Sequence, residues 1–184
     1  MDILPVRNKL SKFFYDSELC DIHLSHFSDE IKSNFPDGIW QHEPDEIIWY
    51  NRKYHQVMAI ERDPNTGALR GYVGINHNQK EFEPFWKEFI DLDIYSRDVY
   101  FDNNAFFPFK NGDYEVDTYL CIDCNLGRDY YTGTYDFRPG KDGLTLLKSG
   151  IYEYRDIDYL AYMLKKLSFE IHATLEVLKF NLTK

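Results

Sequence analysis

Several things are scarce in this chain. Three cysteines among 184 residues are too few, and odd in number, for the disulfide framework of a small secreted domain. Ten glycines and seven prolines are scattered without clustering. No linker, low-complexity tract or internal repeat therefore divides the sequence, and the expectation is one domain over 1-184. No apolar run is long enough to cross a bilayer, and "MDILPVRNKLSKFF" carries charges throughout, unlike a secretory leader. Basic residues are in deficit: 21 Lys and Arg stand against 31 Asp and Glu, a formal charge of -10. That deficit opposes non-specific nucleic-acid binding, which needs clustered Lys and Arg to displace counterions from phosphates. Also missing are a phosphate-binding glycine loop, a Gly-x-Ser-x-Gly elbow and an Asp-x-Asp-x-Asp-Gly calcium loop.

What the chain has in quantity is aromatic residues, 17% of the total, mainly 15 Tyr and 14 Phe. So many large rings argue against disorder and for a sheet-rich body or an aromatic surface patch. "EIIWY" (46–50), "YHQVMAIE" (54–61) and "LRGYVGI" (69–75) are rich in β-branched and aromatic residues. The last two are joined by "RDPNTGA", whose Pro, Asn and Gly are turn chemistry, so an antiparallel meander is predicted. Two further strands are predicted in "DVYF" (98–101) and "YEVDTYLCID" (114–123). Helices are predicted from Ile3 to about Leu19 and through "EFEPFWKEFID" (81–91). Asp21–Gly38 is polar and irregular in period, with a second helical turn as one reading, ending at Pro36-Asp-Gly. The strongest periodicity lies at the end. From Asp156, Ile157, Leu160, Ala161, Leu164, Leu167, Ile171, Leu175 and Leu178 share one helical stripe, and Asp156 stands as N-cap. The predicted class is α+β: a helical or irregular segment (1-40), an antiparallel sheet (45-150) and a long C-terminal helix (156-180) laid across it, with shorter N-terminal and central helices.

The spacing Cys121-x-x-Cys124 is that of zinc knuckles and thiol oxidoreductases, and Cys20-x-x-His23 would complete a Cys3His set. Strand parity argues against both. Residues three apart on an extended strand point to opposite faces, so the expectation is no metal, with Cys124 buried and Cys121 in a solvent-facing acidic row. His23-Leu-Ser25 and His172-Ala-Thr174 have the spacing of paired His-x-Ser/Thr motifs in two-histidine phosphoesterases, but His172 falls inside a predicted helix rather than a strand. Asp91, Asp93, Asp98 and Asp102 interleave with Tyr95, Tyr100 and Phe101. This is a candidate partner-binding surface, because rings carry interface energy while carboxylates select basic partners.

Three stretches together resemble a family of small phage and prophage proteins of uncharacterised function. "ALRGYVGI" (68–75) is similar to its "GYVGV" strand, "CIDCNLGRDY" (121–130) to an "FDCAHAGD" strand end, and "YRDIDYLAYMLKKL" (154–167) to a "YRDxxY" helix. The motifs keep the family order over about residues 54–170. His77 stands three residues after Gly74 without the family's Gly-His-Pro, and the family's His after Cys is Leu126 here, or Asn125 if the alignment slips by one, so chemistry resting on those histidines does not carry over. The resemblance implies a small α+β protein of phage origin in the cytoplasm of a bacterial host. With the acidity, it leads us to expect an accessory protein acting by binding: an acidic, anti-CRISPR-like inhibitor of a host defence or nucleic-acid-binding protein, without cofactor, direct nucleic-acid contact or membrane. The alternative expectation is a small hydrolase or nucleotide- or small-ligand-binding protein. Its site would lie at the strand ends, around His77, Asp123, Arg128, Asp129 and Arg155.

Overall fold

The computed structural model describes residues 3–32, 39–76, 99–102, 104, 105, 107, 116–124, 129, 130, 153, 154 and 156–182. Helix α1 (Leu4–Leu10) holds Pro5 in its first turn, where a missing N–H costs nothing, and turns Val6 and Leu10 inward. It stops well short of the predicted end at Leu19. Tight turns close behind it, with Phe13 N donating to Leu10 O at 2.9 Å, and a 3-10 turn spans Asp16–Glu18. Phe13 and Phe14 continue the near-helical spacing of Leu4 and Leu10 in the sequence. They instead leave the helix to pack against Tyr162 and Trp49, at ring separations of 6.1 and 5.8 Å.

Strand β1 (Leu19–Ser25) occupies the stretch whose sequence is irregular in period. The cause is a bulge. Pairing slips between Cys20 and His23, and Asp21 takes φ 50°, a left-handed conformation that Asp tolerates better than most residues. The one-turn helix α2 (Asp29–Lys32) and a 3-10 turn at Ile39–His42 lead to the meander β2 (Glu46–Asn51), β3 (Gln56–Arg62) and β4 (Leu69–Asn76). Strands β5 (Val99–Asp102) and β6 (Val116–Asp123) complete a six-stranded antiparallel sheet in the order β1-β2-β3-β4-β6-β5. Two-residue strands β7 (Asp129–Tyr130) and β8 (Glu153–Tyr154) pair in parallel outside it. The predicted helix at 81–91 lies outside the described residues.

Helix α3 (Ile157–Leu182) opens on the predicted cap, with Asp156 Oδ1 accepting the Tyr159 N–H at 2.9 Å. Its stripe from Ile157 to Leu175 is buried against β3 and β4, and the Leu178 side chain lies outside the described ones. Each Leu or Ile of that stripe contributes about 1.5–3 kcal/mol on leaving water. Gly71 sets how close the helix comes: a Cβ there would stand 3.1 Å from both Leu160 Cδ2 and Leu164 Cδ2. The result is an α+β fold with α3 and α1 covering one face of an antiparallel sheet.

Both sheet faces are buried. Ile47, Trp49, Met58, Ile60, Val73, Leu120 and Ile122 meet the helices, while Ile48, Val57, Ala59, Tyr72, Tyr119 and Cys121 form a second cluster with Phe107 on the far side. At one end of β3 the fully buried Arg62 is held by Asp45 Oδ1 and Glu43 Oε2, each at 3.0 Å, and donates to Gly67 O at 3.1 Å. Lys9 and His26 approach the same carboxylates at 3.5 and 3.7 Å. A buried ion requires this degree of matching, so the cluster is a clasp between the segment before β2 and the β3–β4 turn.

Candidate functional site

The register of the sheet aligns a row of polar side chains across the face away from α3. Ser25 stands opposite Glu46, Glu46 opposite Glu61, Glu61 opposite Arg70, and Arg70 opposite Asp123. These residues sit where the strands end, so the row forms the rim of the second face. Arg70 Nε reaches Asp123 Oδ2 at 3.3 Å, and its Nη1 reaches Asp63 Oδ2 at 3.1 Å from the β3–β4 turn. Asp63 also closes that turn, its Oδ1 accepting the Asn65 and Thr66 N–H groups at 2.8 and 2.9 Å. Burial alone would raise its carboxyl. The two backbone N–H groups and Arg70 outweigh burial and bring it below the usual range.

Glu46 and Glu61 are different. They face one another as direct cross-strand partners, and among the described residues no ion pair reaches either. Glu46 Oε1 accepts from Ser25 Oγ at 3.1 Å, and Glu61 has a hydrogen bond from Tyr72. Burial first, and then the charge of Glu46, push the Glu61 carboxyl above its ordinary value. Like charges directly opposite on a sheet are destabilising. Arg70 pairs with Asp63 and Asp123 and faces Glu61 across the strands, while Glu46 lies one strand further away.

The next row inward carries Tyr72, Cys121 and Tyr100 side by side on β4, β6 and β5. Both phenols hydrogen-bond the Cys121 sulfur, and burial pushes the thiol up to about 12. Burial also raises both phenols, so all three groups are neutral near pH 7 and act as hydrogen-bond partners. A thiol held protonated in this way is neither a nucleophile nor a metal ligand. Behind them Tyr72, Tyr119 and Phe107 stack at ring separations of 4.9 to 6.2 Å.

The expectation that Cys121 faces solvent is therefore corrected. It is fully buried, because the aromatic cluster around Phe107 covers the face to which strand parity assigns it. The parity argument itself holds, since Cys124 belongs to the α3-facing cluster. No disulfide joins the three cysteines, and among the described residues no three His, Cys, Asp or Glu gather for a metal. Cys20 and His23 are on β1 and Cys121 on β6, with three strands between them, about 19 Å at the usual strand spacing.

Of the residues expected at the strand ends, Asp123 lies in the row. Asp129 is on β7 with its side chain outside the described ones, and His77, Arg128 and Arg155 fall outside the described residues. Of the acidic–aromatic stretch, Tyr100 adjoins Cys121. Asp102 ends β5 with Oδ1 accepting the Asn104 and Ala105 N–H groups at 2.9 and 3.0 Å. Asp91, Asp93, Tyr95 and Asp98 lie outside the described residues. Sequence reasoning missed Glu46, Glu61, Asp63 and Arg70, which become neighbours only through strand register.

Among the described residues no helix is long and apolar enough to cross a membrane. Comparison with known proteins finds no family model, no curated protein and no solved structure that matches this chain. Fold and site together describe an α+β protein with an acidic rim at the strand ends of a sheet covered on both faces.

Proposed function

We propose that this protein acts by binding, presenting its carboxylate rim to a basic surface on a partner protein. The observation that carries this reading is the Glu46–Glu61 pair: two carboxylates held directly opposite one another, at a cost to the fold that an incoming Lys or Arg would relieve. Tyr100 stands beside the rim and is 38% exposed, an aromatic anchor of the type that interfaces favour. The net charge of -10 adds long-range attraction for such a partner. The resemblance to phage and prophage proteins supports a more specific version, in which the chain is a phage accessory factor occupying the nucleic-acid groove of a bacterial defence protein in the host cytoplasm. Capture from bacterial lysate at low salt tests it. The expected catch is a basic, nucleic-acid-binding protein that elutes with salt and is lost with a Glu46→Gln/Glu61→Gln variant. Recovery of no basic partner, or equal recovery by the variant, contradicts it.

A further inference from the structure

On the opposite side of the sheet, under α3, lie buried hydrogen-bond donors with nothing to bond. Among the described residues Trp49 Nε1, Asn51 Nδ2 and Gln56 Nε2 have no partner, and all three residues are fully buried. Asn51 and Gln56 are direct cross-strand partners where the β2–β3 hairpin closes, which puts their Cβ atoms about 5 Å apart. Trp49 precedes Asn51 by two residues on the same face. The Asn51 amide cannot be turned round to remove the problem, because its Oδ1 accepts the Tyr54 backbone N–H at 3.1 Å. The indole N–H can only donate. Gln56 Oε1 takes the Ser168 hydroxyl at 2.5 Å, tying the hairpin to α3, and the Tyr54 and His172 rings pack 5.2 Å apart beside it.

A buried donor left unmade forfeits the hydrogen bond it had to water in the unfolded chain, and several together are not retained without an acceptor. We infer that this is an internal hydration site: an ordered water accepts from Asn51 Nδ2 and Gln56 Nε2 and donates to the Ser168 oxygen, and a second buried water accepts from the Trp49 indole N–H. Buried waters occur about once per 27 residues and make about three such bonds, so a protein of this size holds several. The site lies on the face away from the carboxylate rim and stands independently of the proposed binding role.

Water-selective NMR on the isotope-labelled full chain tests it without any substitution. The Asn51 and Gln56 side-chain amides and the Trp49 indole N–H are expected to show cross-peaks to waters of long residence. Native mass spectrometry is expected to give the mass of the chain alone. Absence of those cross-peaks, with the N–H groups coupled directly to Gln56 Oε1 or Ser168 Oγ, would overturn the inference in favour of a dry network. A retained small molecule in the native mass would overturn water as the occupant.

Discussion

At the scale of single residues, the second sheet face is chemically quiet in its middle and charged at its rim. Cys121 is the clearest case. Its thiol is buried, bonded by two neutral phenols and pushed up to about 12, so at pH 8 it is present as the unreactive protonated form. Cys124 is buried under α3, whereas Cys20 on β1 is only partly covered. Thiol labelling of the native protein is therefore expected to modify Cys20 first, with Cys121 and Cys124 reacting only on unfolding. Rapid native labelling of Cys121, read by peptide mass mapping, would contradict the placement. The Cys-x-x-Cys spacing was legible in the sequence, and strand parity correctly separated its two thiols. What parity could not supply was the cover on the second face. Asp117, Tyr119, Cys121 and Asp123 alternate like a solvated row, yet Phe107 and Tyr72 close over its centre.

At the scale of elements, the periodic segments were the readable ones. Strands β2, β3, β4 and β6 follow from their β-branched and aromatic content, which suits a sheet buried on both faces. Helix α3 follows from a stripe with spacings of three and four that burial of one face enforces. Strand β1 escaped because its bulge at Asp21 breaks the alternation, and α1 was overextended because Phe13 and Phe14 mimic helical spacing while packing from a turn. Register was not readable. The opposition of Glu46 and Glu61 depends on the turn between Asn51 and Gln56, where His55 adopts φ 54°. Gly71 lies in the "ALRGYVGI" stretch, and what the sequence did not show is its role in the approach of α3 to β4. Gly71→Val is expected to destabilise the fold by about 1–3 kcal/mol, since Leu160 and Leu164 must shift to admit the new methyls. Chemical denaturation checks this, and an unchanged midpoint would mean that α3 is not seated on β4 as described.

At the scale of the whole molecule, the proposed binding role implies a trade-off: a charge pair that weakens the fold would be kept because a basic partner relieves it. The sign with pH follows from the raised Glu61 carboxyl. Its ionisation costs the folded state more than the unfolded chain, so the penalty is complete above the folded value. It is relieved as pH falls toward the ordinary carboxylate value of 4.5. Asp63 acts oppositely, giving stability above the ordinary value that is lost as pH falls through its depressed one. Glu61→Gln keeps an acceptor for the Tyr72 hydroxyl while removing the charge. The most direct measurement is thermal unfolding of wild type and Glu61→Gln, each with and without a lysine-rich peptide, at pH 7 and at pH 4. At pH 7 the variant alone is expected to melt about 2–4 °C above wild type, as removal of roughly 1 kcal/mol of repulsion implies for a chain of this size. That advantage should shrink at pH 4, and the peptide should raise the melting temperature of wild type more than that of the variant. A variant that melts below wild type at pH 7, or that gains as much from the peptide, would contradict the claim that the Glu46–Glu61 pair is held for a cationic partner.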